Sequence, residues 1–276
     1  MSNNFSIITE NLSKTFEVRA SRVPVIKQVS MTIKEGEFVV VTGPSGCGKS
    51  TLLHILLGLE APSTGKVVMF GQDIYGALDE DGRTQLRKEN VGMIYQQPNW
   101  IKALSVLENV MFALRINGET DLKAREKSQE MLKMVGMLDW QDYIPTELSS
   151  GQQQKVALAR AVITNPKIII ADEPTGNLDF KSGEELMQLL KKLNDAGKTV
   201  IMVTHDLEYL SFATRSLIMF DGKIVEEADS KDLSGKLTGF KKLFAKVYQE
   251  WKRNQASYYW MCGTPSCSSA WFWRIR

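Results

Sequence analysis

"EFVVVTGPSGCGKSTLLHILL", residues 37–57, is the stretch whose reading decides the fold. It opens with an unbroken apolar run, Phe38, Val39, Val40 and Val41, as expected of a strand covered on both faces. It closes with Leu and Ile residues at helical spacing. Between the two, residues 43–50 read "GPSGCGKS", which satisfies G-x-x-x-x-G-K-[ST] in the strand–loop–helix setting that the pattern needs. Glycines in such a loop let backbone N–H groups turn inward on phosphate oxygens, and the helix N-terminus adds its positive end. Gly43, Pro44, Ser45, Gly46, Cys47, Gly48, Lys49, Ser50 and Thr51 are therefore the candidate contacts of a nucleoside triphosphate. Lys49 is expected to reach the β- and γ-phosphates, and the Ser50 hydroxyl to hold Mg²⁺.

A second apolar run, Ile168, Ile169 and Ile170, leads into "ADEPTGNLD" at residues 171–179. In proteins with a phosphate-binding loop, an Asp at the end of another buried strand holds Mg²⁺, and Asp172 stands in that place. The neighbouring Glu173 is suited to orient or deprotonate a water that attacks the γ-phosphate.

Further outward, strand-like runs recur in "FSII", "KVVMF", "VGMIY", "TVIMVTH" and "SLIMF". Helical patterns separate many of them, for example "SGEELMQLLKKLNDAG", with its closing Gly. This alternation predicts an α/β fold. From about residue 98 to 164 the patterns are almost all helical, which predicts a helical subdomain inserted between two strands of the core sheet. A net charge of +2 gives no footprint for nucleic acid. No run approaches the ~18 apolar residues of a membrane span, and the first residues lack a secretory pattern. Three cysteines, Cys47, Cys262 and Cys267, suggest neither a disulfide framework nor a zinc site. Of the two histidines, His54 is expected in the core of its apolar helix. The tail from Trp251 is rich in Trp and turn residues and is expected to be an extension of unknown role.

With these motifs in hand, residues 5 to 230 resemble the nucleotide-binding subunit of ABC transporters. Beyond the phosphate loop, "ELSSGQQQKVALARA", residues 147–161, is similar to that family's signature sequence. The resemblance implies a P-loop core sheet with an inserted helical subdomain across residues 1–230, then a C-terminal helix and extension over 231–276. It implies that Ser149, Gly151 and Gln152 close over the γ-phosphate held by a partner subunit. Ser150 stands where the family usually has a first Gly, and Lys155 where it has Arg; Lys keeps the charge but not the bidentate fork. Gln96 resembles the Q-loop residue that touches Mg²⁺ and senses the membrane partner, with Gln97 adjacent. Asp179 resembles the D-loop carboxylate that faces the dimer partner. His205 resembles the switch histidine, and Phe16 is placed to stack on adenine.

The resemblance implies an ATPase, with ATP and Mg²⁺, that powers a membrane transporter as a dimer of like subunits. Its partner would be a transmembrane permease subunit, its place the cytoplasmic face of the cell membrane, and nucleic acid would not be bound. "GNLD" is similar to the branch of lipoprotein-release, macrolide-efflux and cell-division ATPases. Two other readings stand beside this one. One is a regulatory or mechanical ATPase on a membrane protein without transport; the other is a soluble ABC protein acting on DNA or ribosomes. Trp100, in the loop after Gln96, is expected as an exposed anchor for the membrane partner.

Overall fold

The computed structural model describes residues 5–19 and 21–229, so the expectations for residues 231–276 lie outside the described residues. In chain order the elements are β1 (Phe5–Val18), β2 (Ser21–Lys34), β3 (Phe38–Thr42), α1 (Lys49–Leu56), β4 (Thr64–Met69), β5 (Gln72–Asp73) and α2 (Glu80–Asn90). They continue with β6 (Val91–Tyr95), α3 (Val106–Ile116), α4 (Asp121–Met134), α5 (Ser150–Val162), β7 (Ile168–Asp172), α6 (Phe180–Asp195), β8 (Thr199–Thr204), β9 (Arg215–Phe220) and β10 (Lys223–Asp229).

Among the described residues the strands make two sheets. The larger has the order β10-β9-β3-β8-β7-β6. Its strands from β9 to β6 are mutually parallel, and β10 is antiparallel at one edge. Every residue of β3 and β8 is buried, as is all of β7 up to Asp172. Continuous Val/Ile runs are what strands with two covered faces need. The smaller sheet, β2-β1-β4-β5, is antiparallel throughout. The runs "FSII" and "KVVMF" thus belong to this second sheet and not to the parallel one.

Helix α1 is buried in the core that both sheets share. Leu52, Leu53, Ile55 and Leu56 pack with Ile33, Val39, Val41, Val67 and Ile201 in one apolar cluster. The helical period puts His54 on the remaining face, where it is exposed. The expectation of a core histidine was wrong for that reason: apolar neighbours in sequence are not neighbours on the helix. Strand β2 also braces the phosphate loop from outside. A Cβ on Gly48 would lie 2.8 Å from the Val25 carbonyl, and Lys27 N donates to Gly222 O at 2.8 Å.

Between β6 and β7 the described elements are helical. Both α3 and α5 begin with a reciprocal capping box, Ser105 with Glu108 and Ser149 with Gln152. Helix α5 lies directly on β6: a Cβ on Gly92 would collide with the Ala161 carbonyl. Asn109, buried, ties the preceding loop to α3 by donating to the carbonyls of Ile101, Leu104 and Ser105.

Candidate nucleotide site

Parallel register explains why residues distant in sequence meet. Thr42 pairs with Thr204, Val203 with Asp172, and Asp172 with Tyr95. The residues that follow, Gly43, His205, Glu173 and Gln96, therefore emerge along one rim of the sheet on strands about 4.8 Å apart. The C-terminal edge of a parallel sheet is where such folds gather ligand contacts.

At one end of this rim lies the phosphate loop. Gly46 and Gly48 both have positive φ, +80° and +105°, which turns successive N–H groups to one side. A Cβ on Gly43 would collide with the Met219 carbonyl and lie 2.8 Å from Cys47 Sγ. Lys49 is buried, and its Nζ donates to Gly43 O at 2.8 Å and Pro44 O at 3.1 Å. The ammonium is thus held over the loop. Cys47 is buried, and burial pushes its thiol up, which makes it inert packing. The glycine cradle and the aimed ammonium fit a polyphosphate.

Asp172 ends β7 opposite this loop. Its Oδ1 accepts from Ser50 Oγ at 3.5 Å. Burial, and then the adjacent Glu173 charge, push its carboxyl above the usual range. A carboxylate that is costly when ionised, beside a hydroxyl oxygen, is a donor pair that fits a hard divalent cation such as Mg²⁺. Glu173 follows in a left-handed backbone conformation, φ 46°, held by its own N–H to Val203 O at 2.9 Å. Its Oε2 lies 3.1 Å from Nδ1 of His205, whose ring is exposed.

Gln96 borders Glu173's own loop, since a Cβ on Gly176 would meet Gln96 Nε2 at 2.8 Å. Asp179 caps α6, accepting from Ser182 N at 2.9 Å and from Ser182 Oγ at 2.9 Å. These bonds hold its carboxyl below the usual range. Phe16 is half-buried in the β1–β2 hairpin, paired with Val23 two residues from the Val25 carbonyl that touches the loop. The Lys14 ammonium lies 4.8 Å from its ring centroid.

The signature residues are not brought to this loop. Ser149 and Ser150 are exposed at the start of α5, and Gly151 is packed against Ser182. Helix α5 lies over β6, three strands from β3, hence about 14 Å away along the sheet. What α5 does touch is the end of β6 and the residue that follows it. Gln154, buried, donates through Nε2 to Tyr95 O at 3.0 Å and to Gln96 O at 2.8 Å. Sequence reasoning missed Gln154, although it is the third of three glutamines in the quoted motif.

Trp100 also differs from expectation. It is half-buried, its Nε1 donates to Gln153 Oε1 at 3.0 Å, and the Arg160 guanidinium lies 4.6 Å from its ring centroid. Arg160 further donates to Asn99 O at 2.7 Å. The ring is occupied by the chain's own α5, so it shapes the loop from within.

Comparison with known proteins accords with this geometry. The ABC transporter family model matches residues 26–176. An uncharacterized ABC transporter ATP-binding protein, MJ1508 of Methanocaldococcus jannaschii, is 44% identical over 220 residues, covering 80% of this chain and 98% of that protein. The macrolide export ATP-binding/permease protein MacB of Chlorobaculum tepidum is 39% identical over 222 residues, which are 80% of this chain but 34% of MacB. Among solved structures, the dimeric post-hydrolysis state of the ATP-binding cassette MJ0796 bound to ADP and Pi matches with a TM-score of 0.76 at 41% identity, over 81% of this chain and 98% of that one. CbiO1 of Clostridium perfringens, part of the ABC transporter complex cbiONQ, matches with a TM-score of 0.77 at 25% identity, over 91% and 99%. With its phosphate loop, Asp172, Glu173 and His205 on one rim, the chain belongs to the ABC transporter family, as an ATP-binding and ATP-hydrolysing subunit.

Proposed function

We propose that the chain hydrolyses ATP in a two-subunit sandwich and passes the resulting motion to a transmembrane permease subunit at the cytoplasmic face of the membrane. The observation that carries this is the separation within one chain. A complete phosphate loop follows β3, while the pre-capped segment at Ser149–Gln152, both its serines exposed, opens the helix that packs on β6. A site built from both needs a second copy. MJ0796 is dimeric in its ADP- and Pi-bound structure, and no helix among the described residues is long and apolar enough to cross a membrane.

In this reading Gly43 to Thr51 cradle the phosphates and Lys49 binds the β- and γ-oxygens. Ser50 and Asp172 would hold Mg²⁺, with Gln96 as a further ligand. The ion, when bound, offsets phosphate charge. Glu173 accepts the proton of the attacking water, and His205, already in contact with Glu173, faces the γ-phosphate. Ser149, Gly151 and Gln152 of the second copy close the site, Asp179 lies at the contact, and Phe16 stacks on the base. Gln154 conveys the closure physically: it bonds the backbone of Tyr95 and Gln96 to the signature helix, so neither moves alone.

The test is Glu173→Gln. Turnover is expected to fall by about 10²–10⁴, the usual contribution of a general base, while ATP still binds. Sedimentation should show an ATP-dependent dimer. A variant that stays monomeric with ATP, or that hydrolyses at the wild-type rate, overturns the reading.

A further inference from the structure

We infer that Gly222, in the turn between β9 and β10, is a positioning residue for nucleotide binding: it sets the span between the hairpin that carries Phe16 and the phosphate loop. This rests on the roles proposed above for Phe16 as base platform and residues 43–51 as phosphate cradle. Phe220 pairs with Lys223, so Asp221 and Gly222 alone make the turn, both at positive φ, 45° and 77°. A two-residue turn of this kind favours Asp-Gly, and such tips ordinarily lie at the surface. Here Asp221 is exposed but Gly222 is buried, because two other segments close over it. Its N–H donates to Cys47 O in the phosphate loop at 3.0 Å, and its carbonyl accepts from Lys27 N of β2 at 2.8 Å. The Lys27 ammonium adds an ion pair to Asp221 Oδ1 at 2.7 Å.

One residue therefore bonds to both halves of the nucleotide site. Strand β2 belongs to the antiparallel sheet, Cys47 follows a strand of the parallel one, and the two sheets share no strand. The fit leaves no slack on the β2 side. A Cβ on Gly222 would collide with the Val25 carbonyl oxygen, and a Cβ on Gly48 would lie 2.8 Å from that same oxygen. The carbonyl is seated in a notch between two glycines, one from the turn and one from the phosphate loop. A side chain at position 222 must push β2 outward. Val25 is two residues from Val23, the cross-strand partner of Phe16, so the platform moves with it. The cradle is closed by other contacts, Met219 O against Gly43 and the Lys49 ammonium on Gly43 O and Pro44 O. A ligand with both base and phosphates has to bridge the altered span; a ligand of phosphates alone does not.

The experiment is calorimetric titration of the purified full chain with two probes in Mg²⁺, ATP and inorganic tripolyphosphate. Gly222→Ala is expected to weaken ATP about ten-fold, within the range lost when a base no longer stacks on an aromatic ring. Tripolyphosphate affinity should stay within about two-fold. Asn tolerates a left-handed backbone, so Gly222→Asn should lose as much as Gly222→Ala if the Cβ, and not the turn, is responsible. Asp221→Asn and Lys27→Met leave both glycines in place and decide the matter if melting curves show that the Gly222 variants do not fold. Each should weaken ATP about three-fold and spare tripolyphosphate, and the double variant should be no worse than either single one. A role in folding alone would weaken both ligands together. Equal losses for the two ligands, unchanged ATP affinity in the folded variants, or tripolyphosphate that does not bind the wild-type chain would overturn the inference. Phe16→Ala separates the layers. If it weakens ATP while Gly222→Ala does not, the positioning role fails alone; if ATP affinity survives Phe16→Ala, the assignment of the base platform fails.

Discussion

Two segments of this chain resemble each other in design and differ in completeness. Residues 43–50 and 149–152 both put Gly and Ser at the start of a helix. The first is locked from every side by its own chain: Met219 and Cys47 at Gly43, Val25 at Gly48, and Lys49 buried across it. The second is capped only by itself, Ser149 N donating to Gln152 Oε1 at 2.9 Å and Gln152 N to Ser149 Oγ at 3.3 Å, with its outer face exposed. A capping box satisfies a helix end while leaving the surface free. The first segment is enclosed by its own chain, and in the proposed sandwich the second is completed by another copy.

The sharpest way to break that contrast is to add one methyl group to each. Gly43→Ala would drive a Cβ into the Met219 backbone carbonyl, which cannot yield, so ATP affinity should fall by about 100-fold or more, roughly 2.7 kcal/mol. Gly151→Ala meets only the Ser182 side chain, at 2.6 Å from Oγ. Its single-chain ATP affinity should be nearly unchanged, while dimer-dependent hydrolysis drops. Calorimetric titration with ATP, beside turnover, reads both. Equal losses of affinity in the two variants would break the distinction.

A smaller effect is expected from Ser149→Ala. Loss of the cap should cost about 1 kcal/mol, a fall in Tm of about 2–4 °C. ATP binding to the separate chain should persist, and turnover should fall more than that stability loss explains. Thermal melts with and without ATP decide this, since ligand stabilisation should match wild type.

The smallest effect concerns Asp172 and is a gain. Its carboxyl is raised by burial and by Glu173, so the native state holds that proton more tightly than the unfolded chain does. The ionised form therefore weakens the fold at neutral pH, and this cost disappears below the ordinary carboxylate range. Asp172→Asn should raise the Tm of the nucleotide-free protein at pH 7 by less than Ser149→Ala lowers it. The two proteins should converge in acid, and Mg²⁺-dependent ATP binding should be lost. A variant less stable than wild type at pH 7 would contradict the sign.

The parallel sheet was legible because its strands are nearly pure Val and Ile between turn signals, as in β3, β7 and β8. Elements that lack such a run were not. Strand β2 mixes polar residues and carries Pro24, which is tolerated because β2 is an edge of its sheet. Strand β10, another edge, reads "KIVEEAD", with charge where an interior strand would be apolar. Helix α2 buries none of its residues, so it has no apolar stripe to detect. The phosphate loop, Asp172, Glu173 and His205 could be named from motifs because each motif sits where a strand ends. Gln154, Arg160 and Gly222 could not, since their roles come from what α5 and the turn after β9 are packed against.

Glu173 is a non-glycine residue at φ 46°, a backbone conformation that costs a residue with a Cβ about 1–2 kcal/mol and glycine almost nothing. Selection for heat tolerance alone would therefore favour Gly or Asn at position 173 and Asn at position 172. A library of variants screened by survival at high temperature should drift toward an inert, sturdier protein. Any programme of thermal hardening would have to hold these two positions fixed and seek its gains elsewhere.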